Sequence, residues 1–178
     1  GVVSSDEAFV GGKNGNRIRS KRKAYSYGRN FKDKAPVIGM IEGGKDGKAK
    51  TVALPSISHK AIRKEVLTTV IPGSTLITDE YGAYHKMNRY YDHQVNNHSK
   101  GIYITKDGYS SNNIEGFWRL LKDMIRGAYK KISPKHLQKY LDELTFRFNT
   151  RNMSDAERFC LMLSKSNCRL TYKQLIGK

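Results

Sequence analysis

The spacing of apolar positions changes several times along the chain, and each change predicts an element. Val2 to Val10 (VVSSDEAFV) has strand-forming ends around a polar middle. Ala35 to Gly43 (APVIGMIEG) is a continuous apolar run ending at Gly43-Gly44, which predicts a buried strand. Lys45 to Gly47 reads as a hairpin turn, and Lys48 to Leu54 resumes an extended pattern. Three successive segments of this kind predict an antiparallel start to a sheet.

Beyond them the period lengthens. Ser58 is placed as a helix N-cap, because Ala61, Ile62, Val66 and Val70 follow with helical spacing until Pro72-Gly73 stops them. Ser74 to Thr78 (STLIT) is a second buried run, ending at Asp79. Tyr81 to Asn88 reads as a short helix, and Gln94 to His98 and Gly101 to Thr105 as short strands. Ser110 to Gly127 (SSNNIEGFWRLLKDMIRG) predicts an amphipathic helix. At about 100° per residue, Ile114, Phe117, Trp118, Leu121 and Ile125 fall within an arc of roughly 100°. Asn112, Glu115, Arg119, Lys122 and Arg126 cluster in an arc of roughly 80° almost opposite. Ser133-Pro134 opens a further helix with Leu137, Leu141, Leu144 and Phe148 as its apolar stripe, and a last helix runs from about Ser154 to Leu163. This order predicts an α/β fold, one mixed sheet flanked by helices with extra helices toward the C-terminus. At 178 residues the length suits one domain spanning 1–178.

Charge narrows the partner. Thirty-three Lys and Arg against sixteen Asp and Glu give +17, an excess that calls for an anionic partner, and nucleic acid fits best. Lys13 to Lys34 carries nine basic residues and one acid, with Tyr25, Tyr27 and Phe31 between them. It reads as a basic loop insertion in which Arg17, Arg19, Lys21, Arg22, Lys23 and Arg29 contact phosphates while the aromatics stack. The bland alternative is a solvated loop. No run approaches the ~18 apolar residues of a spanning helix, which argues against a membrane role. Two cysteines, Cys160 and Cys168, make no disulfide framework and fit a reducing, cytoplasmic setting. Cys160, in an apolar run, reads as a core thiol. His93 and His98 form the one close histidine pair, a weak metal candidate. The chain begins at Gly1 without Met and reads as a fragment.

Three polar positions carry candidate chemistry. Asp6 lies on the first strand and Asp79 ends the fourth, so neighbouring strands would bring two carboxylates together. A third ligand would then come from the polar face of the 110–127 helix. Hard divalent cations such as Mg²⁺ take carboxylate and amide oxygens, and paired ions suit in-line attack on phosphorus. Each residue also has an ordinary reading. Asp6 could face solvent, Asp79 could cap a helix, and Glu115 could pair with Arg119.

At these residues the segments DEAFVGG, TDEYGAY, NNIEGFWRLLK and YLDELTFRFNTRN resemble the DDE-type transposases of bacterial insertion sequences, in the ISXO2-like branch. The resemblance covers Ser5 to about Asn152, with the segments in the right order. It implies an RNase H-like fold and a catalytic set of Asp6, Asp79, Glu115, Asn112 and Lys122. Asp6 and Asp79 would be the first two acids, and 35 residues (80 to 114) separate Asp79 from Glu115. Branches of the family use Glu or Asn at the third position, followed by Lys on the same helix. Charge favours Glu115, which makes Asp6, Asp79 and Glu115 the metal ligands, with Asn112 the alternative. Arg119, Lys122 and Arg126 would bind DNA phosphates. The resemblance further implies two Mg²⁺ (or Mn²⁺) ions, cleavage at transposon ends followed by strand transfer into target DNA, and a homodimer or higher multimer on DNA. It implies a bacterial cytoplasmic, nucleoid-associated location. It also implies that the zinc-binding, DNA-reading N-terminal segment of full-length relatives is absent from this stretch. The competing readings are an RNase H-like metal-dependent nuclease without strand transfer, and a catalytically inactive DNA-binding domain.

Overall fold

A computed structural model describes residues 1–11, 18–22, 34–96, 112–166 and 169–176. Five strands, β1 (Val2–Val10), β2 (Ala35–Glu42), β3 (Ala49–Ala53), β4 (Thr75–Thr78) and β5 (Asp92–Val95), form one sheet in the order β3-β2-β1-β4-β5. The β1-β2 and β2-β3 pairs are antiparallel, whereas β1-β4 and β4-β5 are parallel. Helices α1 (His59–Thr69), α2 (Asn112–Met124), α3 (Leu137–Asn149), α4 (Asp155–Ser164) and α5 (Tyr172–Ile176) complete the described elements. This is the α/β, RNase H-like arrangement expected from the sequence.

The sheet is covered on both faces, which explains the unbroken apolar run of β2. Its residues alternate between two cores. Ile38 and Met40 join Ile62 and Val66 of α1, Leu76 of β4 and Tyr84 on one face. Val37 and Ile41 join Ile114, Phe117, Trp118 and Leu121 of α2 and Leu137, Leu141 and Leu144 of α3 on the other. The Ser58 hydroxyl accepts from the Ala61 N–H at 3.2 Å and caps α1, as its sequence position suggested. The apolar stripe of α3 is buried at Leu137, Leu141 and Leu144.

Helix α3 also closes the outer edge of β3. The Asn149 side chain accepts from the Ala49 N–H at 2.7 Å and donates to the Ala49 carbonyl at 2.9 Å. Near the other end of the helix, Gln138 accepts from the Ala53 N–H at 2.8 Å and donates to the Thr51 carbonyl at 3.1 Å. Two amide side chains thus mimic a neighbouring strand and satisfy backbone groups that an edge would leave open.

Four expectations need revision. The segment 81–88 forms two 3₁₀ turns, Gly82–Tyr84 and Met87–Arg89, rather than one helix. Lys86 between them sits at φ 68°, a left-handed conformation that interrupts any α-helical ladder. The strand placed at 94–98 is Asp92–Val95, because its register with β4 begins at Thr75↔Asp92; Asn97, His98 and the strand expected at 101–105 lie outside the described residues. Helix α2 gives way to a π-helical turn at Ile125–Tyr129, which leaves Ile125 only half-buried. Cys160 is exposed rather than in the core. It lies on α4, none of whose residues is buried and whose Phe159, Met162 and Leu163 are exposed. An apolar run marks a core only where another surface covers it. Cys168 lies outside the described residues.

Candidate metal centre

Strand β1 is the middle of the sheet, with β2 on one side and β4 on the other. Its parallel register with β4 runs Val2↔Thr75, Val3↔Leu76, Ser4↔Ile77. Two further steps along both strands bring Asp6 level with Asp79, just past the last residue of β4. Parallel pairing at the centre of the sheet is therefore what joins two acids far apart in sequence. Asp6, Glu7 and Asp79 each offer a carboxylate oxygen, and these three atoms lie within 4.8 Å of one another. All three residues are half-buried.

Glu7 escapes a sequence reading for a physical reason. Successive residues of a strand point to opposite faces, so Asp6 and Glu7 should not meet. Asp6 does face α2, where the Trp118 Nε1–H donates to its Oδ2 at 3.0 Å. Glu7 faces the α1 side, where the Tyr84 hydroxyl donates to its Oε1. They converge because the β4 pairing has ended by this point, so side chains from both faces can turn into the gap beside Asp79. The one sequence signal for it is the pair of adjacent acids in DEAFVGG.

The surrounding contacts orient this group. The Tyr84 hydroxyl also lies 3.2 Å from the Ser5 hydroxyl. Burial first, and then the charge of Glu7, push the Tyr84 phenol well above its ordinary value of 10.0. Tyr84 therefore remains a protonated donor to Glu7 throughout the physiological range. Asp79 Oδ1 accepts from the Tyr81 N–H at 3.0 Å, which fixes the carboxylate; the 3₁₀ turn that follows has Tyr81 as its N-cap and no side-chain cap, so Asp79 is not the helix cap of its ordinary reading. His93 bonds the Thr78 hydroxyl through Nε2 at 2.9 Å, beside the same strand end; His98 lies outside the described residues.

On α2 the apolar arc is buried at Ile114, Phe117, Trp118 and Leu121, while Asn112, Glu115, Arg119, Lys122 and Arg126 are all exposed. Glu115 precedes Trp118 by three residues, about 60° around the helix axis. It is not a member of the 4.8 Å group. Arg119 approaches Asp123 at 4.0 Å, an exposed i,i+4 pair that contributes little. Of the basic loop, Arg19, Lys21 and Arg22 are exposed on and beside a 3₁₀ turn at Arg19–Lys21; Arg17, Lys23 and Arg29 lie outside the described residues. An open cleft of about 630 Å³ begins at Asp79 and is lined also by His85, Lys86, Asn88, Arg89 and His93.

Three hard, anionic oxygen donors at this separation fit a divalent cation such as Mg²⁺ or Mn²⁺. The exposed cations Lys86 and Arg89 line the same cleft as Asp79, and cations of this kind suit phosphate oxygens. The family model described as the ISXO2-like transposase domain matches residues 1–149. No curated protein matches the chain. Among the described residues no helix is long and apolar enough to cross a membrane.

Proposed function

Because the chain belongs to the ISXO2-like transposase family, we propose that it is the catalytic core of a DNA transposase, which cleaves transposon ends and transfers them into target DNA with divalent cations. The observation that carries this reading is the meeting of Asp6 and Asp79, with Glu7, at the end of β4. When bound, the ions supply Lewis-acid activation of the attacking oxygen and charge stabilisation of the leaving 3′ oxygen. The residues supply the rest. Asp6 and Asp79 hold the ions, and Glu7 adds negative charge that raises their retention. The third ligand comes from the flank of α2, either Glu115, on grounds of charge, or Asn112. Lys122, Arg119 and Arg126 grip phosphates and align the strand for in-line attack. Arg17, Arg19, Lys21, Arg22, Lys23 and Arg29 contribute further phosphate contacts along the DNA.

The same reading makes 1–178 one catalytic domain with a basic insertion at 13–34. It acts on DNA in a bacterial cytoplasm, as a dimer or higher multimer because two ends must be joined to one target. The competing reading is an RNase H-like nuclease that cuts and never joins. Incubating the protein with labelled transposon-end duplex, target plasmid and Mg²⁺ separates them. A slow-migrating joined product supports the transposase, and cleavage products alone support the nuclease. With neither, the inactive DNA-binding domain is left. Comparing Glu115→Gln with Asn112→Ala in the same assay identifies the third ligand as the variant with the greater loss.

A further inference from the structure

The indole of Trp118 makes an unusual pair of contacts. Its N–H donates to Asp6 Oδ2 at 3.0 Å, while its six-membered ring lies over Gly39 of β2. A Cβ at position 39 would fall 2.7 Å from two of the ring carbons, Cη2 and Cζ2, which is closer than such atoms approach. Gly39 is the cross-strand partner of Asp6. The ring therefore occupies the space that any other residue opposite Asp6 would fill, and so reaches the carboxylate edge-on. Trp118 is itself only 5 % exposed, and edge-to-face contacts of Trp118 with Phe117 at 5.6 Å and of Phe117 with Phe148 at 5.2 Å hold it against α3.

We infer that Trp118 is a positioning residue for the metal centre, orienting the Asp6 carboxylate through the indole N–H while Gly39 provides the room for the ring. The inference rests on the metal-dependent reading above and extends it to a residue outside the proposed ligand and phosphate-binding sets. Its chemistry suits the task. An indole N–H is a donor only, and it carries no charge. In a chain of net charge +17 a Lys or Arg at this place would neutralise Asp6 and compete with the cation. The neutral donor fixes the side-chain rotamer and leaves the negative charge of Asp6 for the ion. Hydrogen-bond partners of ligating groups tune metal affinity in this way.

Trp118 is the single tryptophan of the chain, so its emission reports on this site alone. Mn²⁺, a paramagnetic quencher, is titrated into wild type, Trp118→Phe and Gly39→Ala, with calorimetry for all three and emission for the two that keep the indole. Thermal melts establish that each variant is folded. Wild type should bind Mn²⁺ saturably with quenching of the indole, and both variants should bind about tenfold or more weakly. Should Trp118→Phe fail to fold, Gly39→Ala, which displaces the ring and keeps it, decides alone. Variant affinities within about twofold of wild type, far short of the loss typical of such partners, overturn the positioning role and leave the metal centre standing. Absence of Mn²⁺ binding by wild type removes the metal centre itself, and the positioning role with it.

Discussion

The Tyr84 hydroxyl donates to the Glu7 carboxylate across 77 residues of chain, tying the turn after β4 to the middle of β1. Because the same hydroxyl faces Ser5, one buried phenol braces the strand that carries Asp6 and the segment that follows Asp79. Tyr84→Phe keeps the ring and removes the brace. It should lower stability to urea by about 1–2 kcal/mol, the cost of leaving buried polar partners without their donor. It should also weaken Mn²⁺ binding, since Glu7 then has no phenol to hold it beside Asp79. Unchanged stability would show that the hydroxyl contributes nothing to the native state.

Much of this arrangement was legible in the sequence, because periodicity reports burial directly. β2 reads as a continuous apolar run because both its faces meet a core, and α2 declares its buried side through Ile114, Phe117, Trp118 and Leu121. Asp6 on the first strand and Asp79 at the end of the fourth are paired by the order of the strands and by the family resemblance, although each also has an ordinary reading. The details set by tertiary contacts did not show. Glu7 joins the site only because β4 stops short, and strand pairing lengths are not written in local pattern. Lys86 breaks the expected 81–88 helix through a backbone conformation that its side chain does not advertise. Cys160 sits in an apolar run whose helix remains uncovered. The indole contact to Asp6 required knowing that Gly39 lies opposite.

The YLDELTFRFNTRN segment turns out to have a structural role at a sheet edge. Asn149→Ala removes the two hydrogen bonds to Ala49 and exposes part of the β3 edge. The expected result is a loss of about 1–3 kcal/mol in chemical denaturation, from two backbone groups left unpaired. A greater tendency to self-associate in light scattering should accompany it, because open edges recruit other strands. A stable, monodisperse variant would contradict the edge-closing role.

His93 predicts a pH dependence. Burial holds its imidazole below the ordinary value of 6.5, against a smaller opposing pull from Asp92. The unfolded chain therefore binds a proton at higher pH than the folded one, so this group makes stability rise with pH. On acidification the cost begins near the unfolded value of 6.5 and is complete once pH falls below the depressed folded value. In His93→Asn that part of the pH slope should vanish in a series of urea melts between pH 8 and pH 5, a window of about 1.5 units either side of the unfolded value. Parallel wild-type and variant curves would show that His93 does not titrate differently on folding.

Lys122, exposed on α2 two turns beyond Glu115, tests the DNA-facing side. Lys122→Ala should weaken duplex binding and flatten the plot of log affinity against log salt by about one unit of slope, the share of a single neutralised phosphate. An identical slope removes Lys122 from the phosphate-binding surface.

The metal centre requires that acids from β1 and from the end of β4 jointly hold a divalent cation. Calorimetric titration of Mn²⁺ into wild type and Asp79→Asn bears on this most directly. Saturable binding is expected in wild type, with a loss of affinity of at least about tenfold in the variant. Equal binding by both proteins would contradict a shared site.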